Sequence, residues 1–276
     1  MKALIQLLRP LNCVMVAIAV AIGALVASGI EGIEDHIICI GIACVVAFLF
    51  TGAGNSLNDY FDKDVDRINH PQRPIPSGKI KPKTAMNLAL LLFLASVILA
   101  IFINHIAFLI VIANLVVMVS YEIFFKAKGT AGNFTISWLT GTAFLFGGAA
   151  VMAVENTLIL AILAFLATLG REIAKDIEDI KGDVSRFTLP MKVGTKNAGI
   201  TASMAIAASV ALSPLPLLSG LFSFKGSEFY IPVIVVADAI FIYSISLLLR
   251  EKNGSSTTIK GAMLIALLAF LAGGIF

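Results

Sequence analysis

Charge is the scarcest commodity in this chain. Aspartate, glutamate, lysine and arginine supply only 13% of its 276 residues, about half the share found in an ordinary soluble domain, and the mean hydropathy is +0.97. Those values exclude a typical water-soluble globular fold. Cysteine is scarce too: Cys13, Cys39 and Cys44 show no C-x-x-C spacing and lie in or beside apolar runs, as small core residues do, which argues against a disulfide framework or a thiolate metal site. The three histidines, His36, His70 and His105, are scattered and mark neither a metal site nor a catalytic base. The formal charge of +3 gives no argument for a nucleic-acid partner. No low-complexity tract or hydrophilic extension of domain size is present, so any chemistry must come from the apolar segments and the short loops between them.

What fills the chain instead is hydrophobic residues, 59% of the total. Runs near 20 residues are long enough to cross a bilayer, and they predict an all-α, polytopic membrane protein with helices at 12–30, 37–61, 83–103, 106–123, 133–153, 157–177, 197–218, 229–249 and 260–276, nine in all. The first run follows Lys2 and Arg9 but is longer than a cleavable signal segment usually is, so it reads as a retained helix. Of the 20 lysines and arginines, 19 fall at the N-terminus or around the loops after helices 2, 4, 6 and 8, with Lys225 the exception. The positive-inside bias then places the N-terminus and those loops in the cytoplasm and the C-terminus outside. The expected organisation is a single domain over residues 1–276, with a weak parallel repeat in which helices 1–4 and 5–8 correspond and helix 9 is left over.

Against this background two acidic clusters stand out. Asp59, Asp62 and Asp66 lie in N-D-Y-F-D-K-D-V-D, and Asp176, Asp179 and Asp183 in K-D-I-E-D-I-K-G-D, 117 positions further on with the same 0, 3, 7 spacing. On a helix each trio falls within an arc of roughly 60° and forms a stripe about 10 Å long. Each closes an apolar run at the predicted cytoplasmic face, where ionisable residues mark ion or substrate sites. Facing carboxylate stripes need cations. Mg²⁺ takes one or two protein carboxylates, keeps waters and completes its shell with phosphate oxygens, so two stripes can hold ions that bridge a diphosphate. Asn58, one residue before the first stripe, can add a neutral oxygen ligand. Basic residues near the stripes are candidate phosphate partners: Arg67 and Arg73 after the first, Arg171, Lys175 and Lys181 around the second, and Lys126 at the end of helix 4. Each is equally accounted for by the positive-inside bias alone. Arg9 and Asn12 at the mouth of helix 1, and Tyr121 near Lys126, are similarly ambiguous. Asp238, alone in the middle of helix 8, reads as a hydrogen-bonded structural acid.

The segment N-S-L-N-D-Y-F-D-K-D-V-D-R-I-N-H-P-Q-R-P-I-P-S-G (residues 55–78) resembles the N-D-x-x-D-x-x-x-D signature and following R-P-x-x-S-G of the UbiA superfamily of intramembrane prenyltransferases, and R-E-I-A-K-D-I-E-D-I-K-G-D (171–183) resembles its second aspartate motif. The resemblance covers essentially the whole chain. It implies an allylic prenyl diphosphate held by Mg²⁺ between the motifs, its tail running into a helical bundle. It also implies that Asn58, Asp62 and Asp66 bind one metal and Asp179 and Asp183 the other, with Asp59 and Asp176 assisting. Tyr121 and Lys126 correspond loosely to a tyrosine and a lysine that touch the diphosphate in the family. The wording of the motifs is closest to the branch that builds archaeal ether lipids. That implies transfer of a geranylgeranyl group from geranylgeranyl diphosphate to the hydroxyl of geranylgeranylglyceryl phosphate. An aromatic prenyltransferase of quinone or haem biosynthesis is the near alternative and a cation-coupled transporter the distant one.

Overall fold

The computed structural model describes residues 2–125, 130–180, 188–222 and 224–275. They form twelve helices: α1 (Lys2–Leu8), α2 (Pro10–Phe61), α3 (Lys63–Asn69), α4 (Pro82–Ile101), α5 (His105–Ser120), α6 (Thr130–Ala150), α7 (Leu158–Asp179), α8 (Leu189–Val193), α9 (Thr195–Leu212), α10 (Leu215–Leu218), α11 (Phe224–Leu249) and α12 (Ser255–Ile275). A π-helical turn, Tyr121–Phe125, extends α5, and a 3₁₀ turn, Val154–Thr157, leads into α7. Among the described residues there is no strand, and seven helices are long and apolar enough to cross a membrane. Large apolar side chains such as Ile38, Leu91, Val116, Val235 and Leu268 point outward. A surface of that kind is stable against lipid and a liability in water.

The longest element explains how the N-terminus reaches the first acidic motif. Run straight, the 52 residues of α2 would measure about 78 Å, far beyond the roughly 30 Å of a hydrocarbon core. The helix breaks at Gly29, whose φ of 67° and ψ of 177° suit only glycine. Nothing lies near the space a Cβ would take there, so the backbone conformation alone demands the residue. Beyond the break the chain doubles back. The Cys44 thiol meets the Ala17 carbonyl at 3.6 Å, the Asn55 amide donates to the Leu8 carbonyl at 2.8 Å, and Arg9 is paired with Asp59.

The other helices wrap around this hairpin. α4 and α6 pack on α2, α7 on α6, α9 on α7, and α11 on α9; α12 packs on α11 and closes the circuit against α2 and α7. The crossing of α2 and α6 is tight because Gly147 is there: a Cβ would lie 2.1 Å from the Val20 carbonyl oxygen. Gly23 meets α6 as closely, a Cβ there lying 2.6 Å from the Phe144 oxygen. Small residues at these positions serve backbone approach, as membrane helices commonly require. Asp238 of α11 accepts a 2.6 Å hydrogen bond from Ser213 Oγ, and Tyr230 donates to the Ser213 carbonyl at 2.8 Å. This polar joint ties α11 to the end of α9.

Candidate active site

The first motif straddles a helix junction. α2 ends at Phe61, Asp62 links it to α3 with φ −84° and ψ 1°, and helical hydrogen bonding almost runs through: Asp62 N–H donates to Asn58 O at 2.9 Å and Asp66 N–H to Asp62 O at 2.8 Å. Asn58, Asp62 and Asp66, four residues apart, therefore line one side of an internal cavity of about 530 Å³. Asp59 does not line it. Its carboxylate is buried, paired with Arg9 and 3.8 Å from Arg73 Nη1. Arg73 also donates from Nη1 to both oxygens of Asp66, at 2.8 and 2.7 Å. The three aspartates thus do not share one open face: Asn58, Asp62 and Asp66 line the cavity, while Asp59 faces the two arginines.

The second motif comes from the C-terminal turns of α7. Glu172, Lys175, Asp176 and Asp179 line the same cavity, and Asn133 of α6 donates to Asp176 Oδ2 at 2.8 Å. Both acidic motifs thus reach one cavity end, together with Arg9 and Arg73. The cavity then runs inward between Val16, Val46, Phe50, Met118 and Phe146, an apolar lining suited to a hydrocarbon chain. Neither Gly23, Gly141, Gly147 nor Gly148 contributes to it.

Other predicted residues are placed differently. Tyr121 is buried and lines the cavity. Asn12 is exposed and Arg67 pairs with Asp64 on the surface at 3.3 Å; neither lines the cavity. Arg171 is also absent from the lining and bonds Glu172 at 2.6 Å. Asp183, Lys181 and Lys126 lie outside the described residues.

Several residues escaped the sequence analysis, Glu122, Asn133 and Glu178 among them. Glu122, only 4% exposed, lines the cavity and accepts from the Asn58 amide nitrogen at 2.9 Å, which leaves the Asn58 amide oxygen available as a ligand. It is the only carboxylate in the predicted helix 106–123, which by the cost of burying charge in a membrane is a legible signal. Asn133 carries the same kind of signal, a primary amide in an apolar helix. Glu178 gives none, since it sits inside the acidic motif yet points away from the cavity. It accepts from Gly254 N–H at 3.0 Å, Ser255 Oγ at 2.9 Å and Ser256 N–H at 3.0 Å, and from Ser256 Oγ. These are unsatisfied donors at the start of α12, where a carboxylate is favoured. The contact locks the last turn of α7 against α12 and so fixes the direction in which Asp176 and Asp179 project.

Comparison with known proteins bears on this arrangement directly. Residues 14–271 match the UbiA prenyltransferase family. The chain belongs to that family. It is 39% identical over 282 residues, covering all of both chains, to digeranylgeranylglyceryl phosphate synthase of Methanosphaera stadtmanae. To the synthase of the same name from Methanothermobacter thermautotrophicus it is 37% identical over 99% of this chain and 96% of the relative. Among UbiA-family structures, one from work on digeranylgeranylglyceryl phosphate synthase in membranes superimposes with a TM-score of 0.84 at 37% identity, covering 99% and 98% of the two chains. A UbiA homologue from Archaeoglobus fulgidus, bound to DMAPP and Mg²⁺, shares the fold with a TM-score of 0.71 at 16% identity, covering 98% and 97%. The protein is a multi-pass membrane prenyltransferase of the UbiA family, with helices and no strand among its described residues.

Proposed function

We propose that the protein transfers a geranylgeranyl group from geranylgeranyl diphosphate to the free hydroxyl of geranylgeranylglyceryl phosphate, forming the second ether bond of an archaeal membrane lipid. The observation that carries this reading is the cavity, in which two acidic motifs and basic side chains meet at one end of an apolar channel. Full-length relatives carrying the synthase name support the choice of acceptor.

The donors gathered from the first motif are the Asn58 amide oxygen and the Asp62 and Asp66 carboxylates; those from the second are Asp176 and Asp179. All are hard oxygen ligands, the set Mg²⁺ prefers. Mg²⁺ takes one or two protein carboxylates and leaves shell positions to water and phosphate, so substrate phosphate oxygens are expected to complete the shell. When bound, Mg²⁺ neutralises the diphosphate and makes it a better leaving group. Arg9, Arg73 and Lys175 add positive charge at the same end, and Asp59 and Asp66 hold Arg73 in place. The apolar walls take up the prenyl tail, aligning its first carbon with the polar end and keeping water from the allylic cation. The carbon–oxygen bond to diphosphate breaks with the electron pair leaving on diphosphate, and the acceptor hydroxyl attacks the first carbon of the resulting allylic cation. Its proton leaves to an oxygen base; the motif carboxylates and the departing diphosphate are the bases at this end.

Purified protein incubated with labelled geranylgeranyl diphosphate, Mg²⁺ and separate acceptors tests the assignment by product mass. Ether formation on geranylgeranylglyceryl phosphate is expected. Prenylation of 4-hydroxybenzoate or a naphthoate, with the glyceryl phosphate left untouched, would replace it with an aromatic acceptor.

The same reading includes topology. Counting α2 as two crossings either side of Gly29 and adding α6 to the seven apolar helices gives nine crossings. The chain is then one domain, with the motif-bearing arm of α2 and its counterpart α7 running in the same direction and the cavity mouth in the cytoplasm, where the basic residues cluster. In a variant lacking Cys13, Cys39 and Cys44, single cysteines replacing exposed Lys79 and Lys196 should label from the cytoplasm, and one replacing exposed Ser219 from outside. Labelling of the two lysine positions from opposite sides would break this topology.

A further inference from the structure

Among the described residues, four buried side-chain polar atoms find no hydrogen-bond partner: Thr168 Oγ1, Arg171 Nε, Thr188 Oγ1 and Ser203 Oγ. Of the four residues only Thr188 lines the cavity. It is 2% exposed, so its hydroxyl has given up water without gaining a partner in the protein. Buried polar groups left in that state in a native protein call for an explanation, and one is a ligand that supplies the missing bond.

The position of Thr188 along the cavity says what that ligand is. Thr188 is held in an extended conformation, φ −70° and ψ 164°, immediately before α8. The next residue, Leu189, packs into the apolar cluster that contains Ile173, Ala174 and Ile177 of α7, and Pro190 is buried. Thr188 is thereby tethered to the C-terminal turns of α7, the stretch from which Lys175, Asp176 and Asp179 line the same cavity. A ligand group at this end faces cations that need acceptor oxygens, and a threonine hydroxyl can donate to the same kind of oxygen. We propose that Thr188 Oγ1 donates a hydrogen bond to a phosphoryl oxygen of a bound substrate. That oxygen belongs to the diphosphate of the prenyl donor or to the phosphate of the glycerol lipid. The inference rests on the prenyl-transfer reading above.

Thr188→Val removes the hydroxyl and nearly preserves shape; Thr188→Ser preserves the hydroxyl. Affinities of the wild type and both variants for geranylgeranyl diphosphate with Mg²⁺, and separately for geranylgeranylglyceryl phosphate, are measured by calorimetry in detergent, with thermal midpoints in the same detergent. Thr188→Val should weaken one of the two ligands about tenfold, and Thr188→Ser should restore most of that loss. Weakened donor binding identifies the diphosphate as the partner, and weakened acceptor binding the lipid phosphate. The Val variant should unfold no earlier than wild type, because the hydroxyl has no bond within the protein to lose. Equal affinity of wild type and Val variant for both ligands overturns the proposal. So does a lowered midpoint, which would reveal a partner within the protein. A protein that binds both ligands but forms no ether refutes the prenyl-transfer reading while the affinity comparison still decides Thr188; one that binds neither overturns both.

Discussion

Asp62→Ala and Asp179→Ala should each lower prenyl-transfer turnover by about 10²–10³-fold or more, the size expected when a preorganised electrostatic contact to a reacting group is lost. The two residues belong to different motifs, Asp62 at the junction of α2 and α3 and Asp179 at the end of α7, yet both line the same cavity. If their carboxylates act on one diphosphate through shared cations, neither can be removed without leaving the other's ion badly held. The effects should then be strongly non-additive, with the double variant little slower than either single one. Both variants should remain folded, so that the loss is one of turnover and not of the protein. Steady-state turnover at saturating donor and Mg²⁺, with thermal unfolding in detergent alongside, checks this. Two single losses that multiply in the double variant would mean that the motifs act on separate groups, and the shared site would be abandoned.

The second large effect falls on stability. The Asp59 carboxylate is 3% exposed, and its close partner is Arg9, brought to it by the α2 hairpin; Arg73 stands off at 3.8 Å. Removing one member of a buried ion pair leaves an uncompensated charge, at a cost of about 3–5 kcal/mol. Arg9→Ala should therefore lower the thermal midpoint markedly and reduce turnover, because the first turn of α2 loses its hold on the motif. The partial exposure of Arg9, 32%, puts the expected loss toward the lower end of that range. Replacing both residues, Arg9→Met with Asp59→Leu, should recover much of the midpoint, since a buried pair exchanged for apolar side chains of similar size is often neutral. Turnover should not recover with it, because Arg73 loses part of its anchor. A double variant as unstable as Arg9→Ala alone would show that the pair is not what holds the hairpin closed.

The helices were legible because they depend on local pattern. Apolar runs of bilayer length, basic residues between them, and acidic residues at helical spacing are each properties of a few consecutive turns, and the backbone hydrogen bonds that satisfy them are local too. The end of the bundle where chemistry belongs was legible for the same reason: carboxylates at the end of a hydrophobic run are costly unless used. Helical spacing alone did not separate Asp59 from Asp62 and Asp66. The angle between Asp59, Asp62 and Asp66 is a property of α2 and α3, whereas which of them lines the cavity depends on Arg9, 50 positions away and reachable only because Gly29 reverses the chain.

Tertiary contacts made the remaining decisions. Gly23 and Gly147 serve equally well on paper to line a lipid tunnel or to let helices touch; the nearness of the Phe144 and Val20 carbonyl oxygens decides for packing. Glu178 lies between Asp176 and Asp179 in the motif, and only the arrival of α12, some 76 residues later, turns it into a helix cap instead of a ligand. Asn133 meets Asp176 across 43 positions. What the sequence by itself determined was the membrane-spanning helices and the acidic end of the molecule, because periodicity and desolvation act within one segment. What the tertiary structure alone decided was the direction of each carboxylate and the identity of its partners, because those bonds form between side chains whose separation in the chain carries no local signature.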